Sequence, residues 1–188
     1  MEDEFVAREK KILSILEQEI MDGEEMAAAV RKMAELMLVD EKGYAPAELK
    51  TDVPFDVVVD GEKVQSHMDL LVTVDNRNAM IVKCAPGSLD SRQRHAVAAA
   101  RVMAELPIPV AVVMDPRSAV VLDSSTGKVL GEGFDAIPTR DELGRILSST
   151  EFKPVPPVKA EREKRVLLAF DAIRCCIPRG TDGGVKLE

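Results

Sequence analysis

Aromatic side chains are scarce in this chain of 188 residues, which has no Trp, a single Tyr at position 44 and five Phe. Proteins that bind single-stranded nucleic acid by stacking need several exposed rings on which successive bases lie. The composition therefore argues against a base-stacking platform. Positive charge is also in deficit, because the formal net charge is −8. Strong non-specific binding of duplex DNA is not expected, since its affinity comes mainly from neutralised phosphates.

Cysteine is too sparse for a disulfide framework or a zinc site. The three cysteines include an adjacent pair, Cys175 and Cys176, and this spacing fits neither pattern. We therefore expect a reducing, cytoplasmic environment. The sequence has no apolar run long enough for a membrane span, and residues 1–4 are acidic where a signal peptide needs positive charge. A nucleotide-binding fingerprint is also missing. Neither a membrane nor a nucleotide is expected as a partner.

The pattern of apolar residues divides the chain into four segments. Residues 1–22 predict an N-terminal helix, and residues 23–150 predict one α/β domain. Several prolines make residues 151–159 a stiff linker, and residues 160–188 predict an amphipathic C-terminal helix followed by a tail. The terminal helices could dock on the domain or on a partner. A homodimer formed through them is therefore one expectation.

Within the central segment, the order of elements predicts the architecture. A helix over 24–39 precedes three strands over 53–60, 64–74 and 79–84, and turn signals separate these strands. A helix over 89–106, a strand over 110–114, a small strand pair and a helix over 139–147 follow. An antiparallel meander that continues through a helical crossover into another strand gives a mixed sheet flanked by helices.

A single carboxylate in an apolar strand is the main chemical signal. Asp69 directly precedes Leu70, Leu71 and Val72. A carboxylate in such surroundings is costly unless it binds a metal ion or a hydrogen-bond donor. The alternative is an acid that faces solvent at the strand edge. Metal-dependent nucleases use carboxylates to hold Mg²⁺ and a lysine to position or activate water.

The next strand carries a lysine but departs from the nuclease pattern. In the PD-(D/E)xK arrangement, an acid and a lysine two residues apart share one face of the third strand. When residues 85–87 are aligned with the usual strand ending, Val82 takes the acid position and Cys84 the lysine position. Lys83 then points to the opposite face unless a bulge turns it inward. It could equally be a surface lysine whose stem covers apolar groups.

Other side chains could contribute to such a site. Glu25 near a helix start and Glu48 ahead of the first strand are candidate metal ligands beside Asp69, although acids at a helix start also simply complement the helix dipole. His95 is expected at the surface. The candidate nucleic-acid contacts are His67, Ser88, Arg92, Gln93 and Arg94.

The order and spacing of these motifs, from about residue 24 to 147, resemble the N-terminal nuclease domain of type I restriction enzyme R subunits, in the version found as short stand-alone proteins. This resemblance implies a restriction-endonuclease-like fold and, in intact members, Mg²⁺-dependent DNA cleavage. Only Asp69 carries over cleanly as a catalytic residue. The segments that carry the resemblance include Val30-Arg31, Val53-Pro54-Phe55, Asp69, Lys83-Cys84-Ala85-Pro86-Gly87 and the apolar strand 108–113.

Three functions are open at this point. The favoured one is a degenerate nuclease-fold domain, associated with nucleic acid or regulatory, whose cleavage is lost or weak because Val82 and Cys84 cannot do the required chemistry. The second is an active Mg²⁺-dependent DNA endonuclease that uses Asp69 and Lys83 as catalytic residues. The third is a non-catalytic homodimeric interaction module. Mg²⁺ is expected as a cofactor only if the domain is active.

Overall fold

The computed structural model describes residues 25–85 and 89–175, with side chains up to Asp171. The predicted N-terminal helix and Ser88 lie outside the described residues. Residues 25–40 form helix α1. The elements that follow are β1 Leu49–Val59, β2 Glu62–Val74, β3 Arg77–Cys84, α2 Leu89–Val102, β4 Val110–Met114, β5 Ala119–Asp123, β6 Val129–Glu132, α3 Arg140–Ser149 and α4 Pro157–Cys175.

The predicted α/β fold with a mixed sheet is confirmed. Six strands lie in the order β1 to β6, and every neighbouring pair is antiparallel except β3 and β4, which are parallel and joined through α2. The first two hairpins have two-residue turns, Asp60-Gly61 and Asp75-Asn76, in which all four φ angles are positive. This is the turn geometry that matches the natural twist of paired strands.

Helices cover both faces of the sheet. On the α1/α3 face, Leu38 and Leu143 are buried against the strands, and on the α2/α4 face Ala96, Ala100 and Leu167 are buried. Residues 79–82 of β3 and all of β4 are apolar and buried, as expected for strands with a layer of helix on each face. None of the described helices is long and apolar enough to cross a bilayer.

Helix α2 packs closely on the sheet because its inner residues are small. Ala96, Ala98, Ala99 and Ala100 have no exposed surface. The helix ends at Val102, four residues before the predicted end. The reason lies in residues 107–109, where two prolines cannot continue a helix, and Ile108 instead donates its N–H to the Ala100 carbonyl at 2.7 Å.

Helix α4 docks on the chain's own domain. The sequence had left open whether it would dock there or on a partner. It begins at Pro157, three residues earlier than predicted, as suits a proline in the first helical turn. Leu167 is fully buried in the core that also contains Phe55, Val57 and Val59 of β1. Helix α4 thus covers both α2 and the apolar face of β1.

Candidate functional site

The β2–β3 hairpin changes register before it reaches Asp69. Next to the turn, Thr73 pairs with Asn78. If that register continued along the hairpin, Asp69 would lie opposite Val82, the position where the nuclease pattern has its second acid. Directly opposite residues of an antiparallel pair share one face of the sheet, so this register would have placed Asp69 beside a valine.

A one-residue bulge at Ala79 prevents this. The register shifts between Thr73 and Val72, and Val72 pairs with Met80 instead. Ala79 is therefore the additional residue in β3, and continuing the new register places Lys83 opposite Asp69. The bulge therefore acts on Lys83 by shifting the register of the strand pair between Ala79 and Asp69.

Asp69 and Lys83 form an ion pair at the end of this hairpin. The Lys83 Nζ atom lies 2.8 Å from Asp69 Oδ2, and the Cys84 backbone N–H donates to the same oxygen at 2.8 Å. The lysine side chain is only 3% exposed and the aspartate 17%. The surface-lysine alternative is therefore wrong, and one Asp69 oxygen already accepts two donors.

Strand β1 is irregular beside this pair. Thr51 pairs with Leu70 and Val53 with Met68, so Asp52 lies opposite Asp69 in the register. Asp52 has a φ of 52°, a left-handed conformation that is uncommon outside glycine.

Asp52 contacts one basic side chain. Its carboxylate lies 3.8 Å from the guanidinium of Arg31 on α1, and an exposed pair of this length contributes little free energy.

Val82 and Cys84, the two positions that depart from the nuclease pattern, belong to the hydrophobic core. Val82 is fully buried and Cys84 is 2% exposed, both on the α1/α3 face. Burial, together with the nearby charge of Asp69, raises the pKa of the Cys84 thiol to about 12. The thiol therefore stays protonated at neutral pH. A buried thiol is a poor ligand for Mg²⁺, which prefers oxygen.

The candidate metal ligands do not meet at Asp69. Both Glu48 carboxylate oxygens have donors, Arg140 Nε at 3.0 Å and the Ala45 N–H at 3.0 Å. The Glu48 carbonyl accepts from Thr73, four residues along β2 from Asp69, which corresponds to about 13 Å of strand. Glu25 is exposed at the start of the described part of α1.

The described residues therefore do not fit a magnesium centre. Among the side chains of residues 25–85 and 89–171, no group of three His, Cys, Asp or Glu could hold a metal ion. Mg²⁺ needs near-octahedral oxygen ligands, and Asp69 brings one carboxylate whose Oδ2 atom is occupied by an ammonium group and an amide N–H.

The candidate nucleic-acid contacts fall into two places. His67 is exposed on β2, opposite Pro54. The others lie on α2: Arg92 is partly exposed, Gln93 donates to Asp90 at 3.0 Å, and Arg94 donates to Glu163 of α4. These three side chains share a helix, but His67 is not on it.

The family model of the type I restriction enzyme R protein N terminus matches residues 25–138, well over half of the chain. The chain belongs to this family. The matched part of this R-protein N-terminal domain runs from α1 past β6, and so contains Asp69, the bulge and Lys83. Helices α3 and α4 lie beyond it. No curated protein and no solved structure matches the chain.

Helix α4 brings a buried acid to this R-protein N-terminal domain that sequence reasoning missed. Glu163 is 3% exposed and accepts from Arg94 on one oxygen and from Arg101 on the other. Burial alone would raise the pKa of Glu163, but hydrogen bonds from the two arginines outweigh it, and the pKa lies below its usual value. The available signal was the seven-residue spacing of the arginines, which places both on one side of a helix.

His95 of the same domain is buried, so the expectation of a surface histidine is wrong. Its side chain is 3% exposed, lies 3.7 Å from the Asp171 carboxylate and contacts the edge of the Phe170 ring. Helix α4 is the physical reason, because it covers this side of α2. Burial lowers the pKa of His95, and the charge of Lys83 adds to that effect, against the opposing hydrogen bond with Asp171.

Proposed function

We propose that this chain is a degenerate nuclease-fold domain, related to the R subunits of type I restriction enzymes, that has lost Mg²⁺-dependent cleavage and associates with nucleic acid. The observation that carries the proposal is the buried ion pair between Lys83 and Asp69, 2.8 Å long. A cytoplasmic location is part of the proposal and rests on the cysteine content.

The ammonium group of Lys83 supplies at Asp69 the positive charge that a metal ion would supply in a cleaving enzyme. A divalent cation could bind Asp69 Oδ2 only by displacing the Lys83 side chain, which is 3% exposed. Separating a buried ion pair costs several kcal/mol, because each charge is left without its partner. Within the part of the chain that the structure describes, no group of three His, Cys, Asp or Glu side chains is available to share the ion.

The active-endonuclease alternative has one observation in its favour. Lys83 and Asp69, the two residues it requires, are in contact. However, a lysine that is buried and ion-paired has to leave its carboxylate before it can orient water, and a metal ion at Asp69 Oδ2 would have to displace the lysine. The contact therefore supports a closed structural pair better than a catalytic one.

The homodimer alternative stays a prediction. Helix α4 buries Leu167 and Glu163 against its own domain, which leaves only its outer surface for a partner. Residues 1–22 lie outside the described residues.

A cleavage assay tests the proposal. Supercoiled, linear duplex and single-stranded DNA are incubated with the wild-type protein and with Asp69→Asn, each with Mg²⁺ or Mn²⁺. We expect the same trace level of cutting for both proteins, because neither holds a metal ion. Cutting by the wild type that disappears in a folded Asp69→Asn variant would refute the loss of cleavage.

A binding assay tests the second half of the proposal. Fluorescence anisotropy with labelled oligonucleotides measures association without metal, and we expect salt-sensitive binding that does not require Asp69. Circular dichroism spectra of each variant exclude unfolding as the cause of a change.

A further inference from the structure

A polar groove lies between α2 and the β5–β6 turn, and neither Asp69 nor Lys83 lines it. We name it the anion groove. It is lined by Gln93, Arg94, Val97, Arg101, Thr126 and Gly127, and Lys159 of α4 lies at its rim, because its Nζ donates to the Ser125 carbonyl at 3.3 Å. Three elements therefore meet here: α2, the β5–β6 turn and the first turns of α4.

The anion groove carries an excess of positive charge. Arg94 and Arg101 both donate to Glu163, and Arg101 and Lys159 share the Ser125 carbonyl as an acceptor. Three cations are thus linked around one carboxylate, which leaves two positive charges uncompensated within the network. This is unusual for a chain whose formal net charge is −8.

The turn also contains a second carboxylate, Asp123, whose hydrogen bonds stay within the turn. Asp123 Oδ1 accepts from the backbone N–H of Ser125 at 2.7 Å and of Thr126 at 3.1 Å. Burial by itself would raise the pKa of Asp123, but the hydrogen bond from the Ser125 hydroxyl at 2.6 Å, together with the two backbone hydrogen bonds, lowers it below its usual value. The carboxylate is therefore ionised at neutral pH and adds one negative charge beside the groove, but its hydrogen bonds go to Ser125 and Thr126 and to none of the three cations.

Two cations of the anion groove keep donors that can reach a ligand. The Arg94 side chain is 47% exposed and uses Nη1 for Glu163, so its other N–H groups remain. Lys159 is exposed. Arg101, by contrast, is 9% exposed and holds the turn through the Ser124 carbonyl at 2.6 Å. It fixes the groove while the other two face outward.

A row of basic residues extends the groove along α4. Lys159, Arg162 and Arg165 are exposed and spaced three residues apart, so they follow one another over about 9 Å of helix. Arg162 has no ion pair within the described part of the chain, and the ion pairs of Arg165 there are with the exposed Asp60 and the half-buried Glu161. Such exposed pairs contribute little free energy and open easily.

We infer that the anion groove and the basic row of α4 together bind successive phosphate groups of a nucleic-acid backbone. A row that continues beyond the groove favours a polyanion over a single phosphate. The scarcity of aromatic residues favours contact with the backbone over base stacking, so binding is independent of sequence. The inference rests on the proposed association with nucleic acid, but it uses neither Asp69 nor Lys83.

The test is fluorescence anisotropy on the full chain, with labelled single-stranded and duplex DNA of about 20 nucleotides across a salt series that starts near 50 mM. Lys159→Ala/Arg162→Ala removes two charges from the row, and Arg94→Ala removes one from the groove. The matched control is Lys32→Ala/Lys153→Ala, which removes two exposed lysines elsewhere on the surface. Inorganic phosphate serves as competitor.

We expect the Lys159→Ala/Arg162→Ala variant to raise Kd about tenfold at low salt and to lower the slope of log Kd against log salt by about 2, since two phosphate contacts are lost. Arg94→Ala also weakens binding, and the control variant changes Kd less than about twofold. We expect inorganic phosphate to displace the oligonucleotide only at concentrations far above that of the oligonucleotide's own phosphate groups.

Three results would overturn the inference. Equal losses in the row variant and the control would mean that DNA binds elsewhere, which leaves the proposed function intact. Competition by inorganic phosphate at equal phosphate concentration would assign the groove to a small anion. A wild-type protein that binds no oligonucleotide at low salt would remove the inference together with the proposed association with nucleic acid.

Discussion

At the scale of single residues, the Asp69–Lys83 pair is asymmetric in burial. The lysine is 3% exposed and the aspartate 17%, so water can replace the partner of the aspartate more easily than that of the lysine. Asp69→Asn leaves a buried ammonium group without a counter-charge, and we expect it to lower the free energy of unfolding by about 3–5 kcal/mol. Urea unfolding at neutral pH measures this loss.

The matched variant is Lys83→Met, which keeps a long side chain but removes the charge. We expect it to cost only about 1–2 kcal/mol, because Asp69 keeps the Cys84 N–H as a donor and can be hydrated. The double variant should be less damaging than the sum of the two single changes. A larger loss for Lys83→Met than for Asp69→Asn would contradict the asymmetry.

His95 gives the domain a pH dependence of known sign. Its pKa is lowered in the folded protein from an ordinary value of 6.5, first by burial. Below that value the unfolded chain binds a proton that the folded chain does not, so stability rises with pH in this range and is lost on acidification. We expect His95→Gln to flatten the change in unfolding free energy between pH 5.5 and 7.5. An unchanged slope in the variant would refute this.

The chemical part of the site was only partly predictable from sequence. An acid beside three apolar residues identified Asp69 as unusual, and that argument used only local sequence. Its partner depended on one bulged residue, Ala79, which shifts Lys83 into register. Nothing in a small apolar residue marks it as a bulge. Regular alternation of side chains along β3 therefore predicted that Lys83 faces away from Asp69, whereas the bulge brings the two together.

At the scale of elements, α4 belongs to the core of the domain. Leu167 is fully buried among residues of α2 and β1, and removing most of its side chain leaves a cavity. We expect Leu167→Ala to cost about 2–5 kcal/mol in unfolding free energy. The control is Leu36→Ala on α1, where the side chain is 51% exposed and the expected change is small. Similar losses for both would mean that α4 is not docked in solution.

The buried charges between α2 and α4 allow a second test of this docking. Glu163→Gln leaves Arg101, which is 9% exposed, without a carboxylate, and we expect a loss of about 3 kcal/mol. Arg94→Ala should cost less than about 1 kcal/mol, because Arg94 is half-exposed and Glu163 keeps Arg101. Thermal unfolding of both variants shows which one loses more stability. A larger loss for Arg94→Ala than for Glu163→Gln would contradict the docking of α4.

The spacing of apolar residues predicted the helices themselves, but it did not predict which residues of one helix contact another helix. The C-terminal helix was predictable because its apolar residues recur at helical intervals. Arg94 and Glu163 are separated by 69 positions in the chain, and no local pattern pairs them. The burial of His95 was missed for the same reason, since the side chain that covers it comes from α4.

At the scale of the whole molecule, the fold needs no metal ion to explain its cohesion. Two hydrophobic clusters fill the two faces of the sheet, and the charged groups of the candidate site are paired within the chain. The mixed sheet was predictable because turn signals and apolar runs determine the meander and the crossover. The sheet and its helices are thus complete, and Val82 and Cys84 belong to the hydrophobic core of this scaffold.

The most direct test of this account is Mg²⁺ binding to the wild-type protein, measured by isothermal titration calorimetry alongside Asp69→Asn and Lys83→Met. The account predicts no binding heat for the wild type at millimolar Mg²⁺, because Lys83 already occupies Asp69. Stoichiometric binding by the wild type that is lost in a folded Asp69→Asn variant would contradict the closed pair, and with it the proposed loss of cleavage.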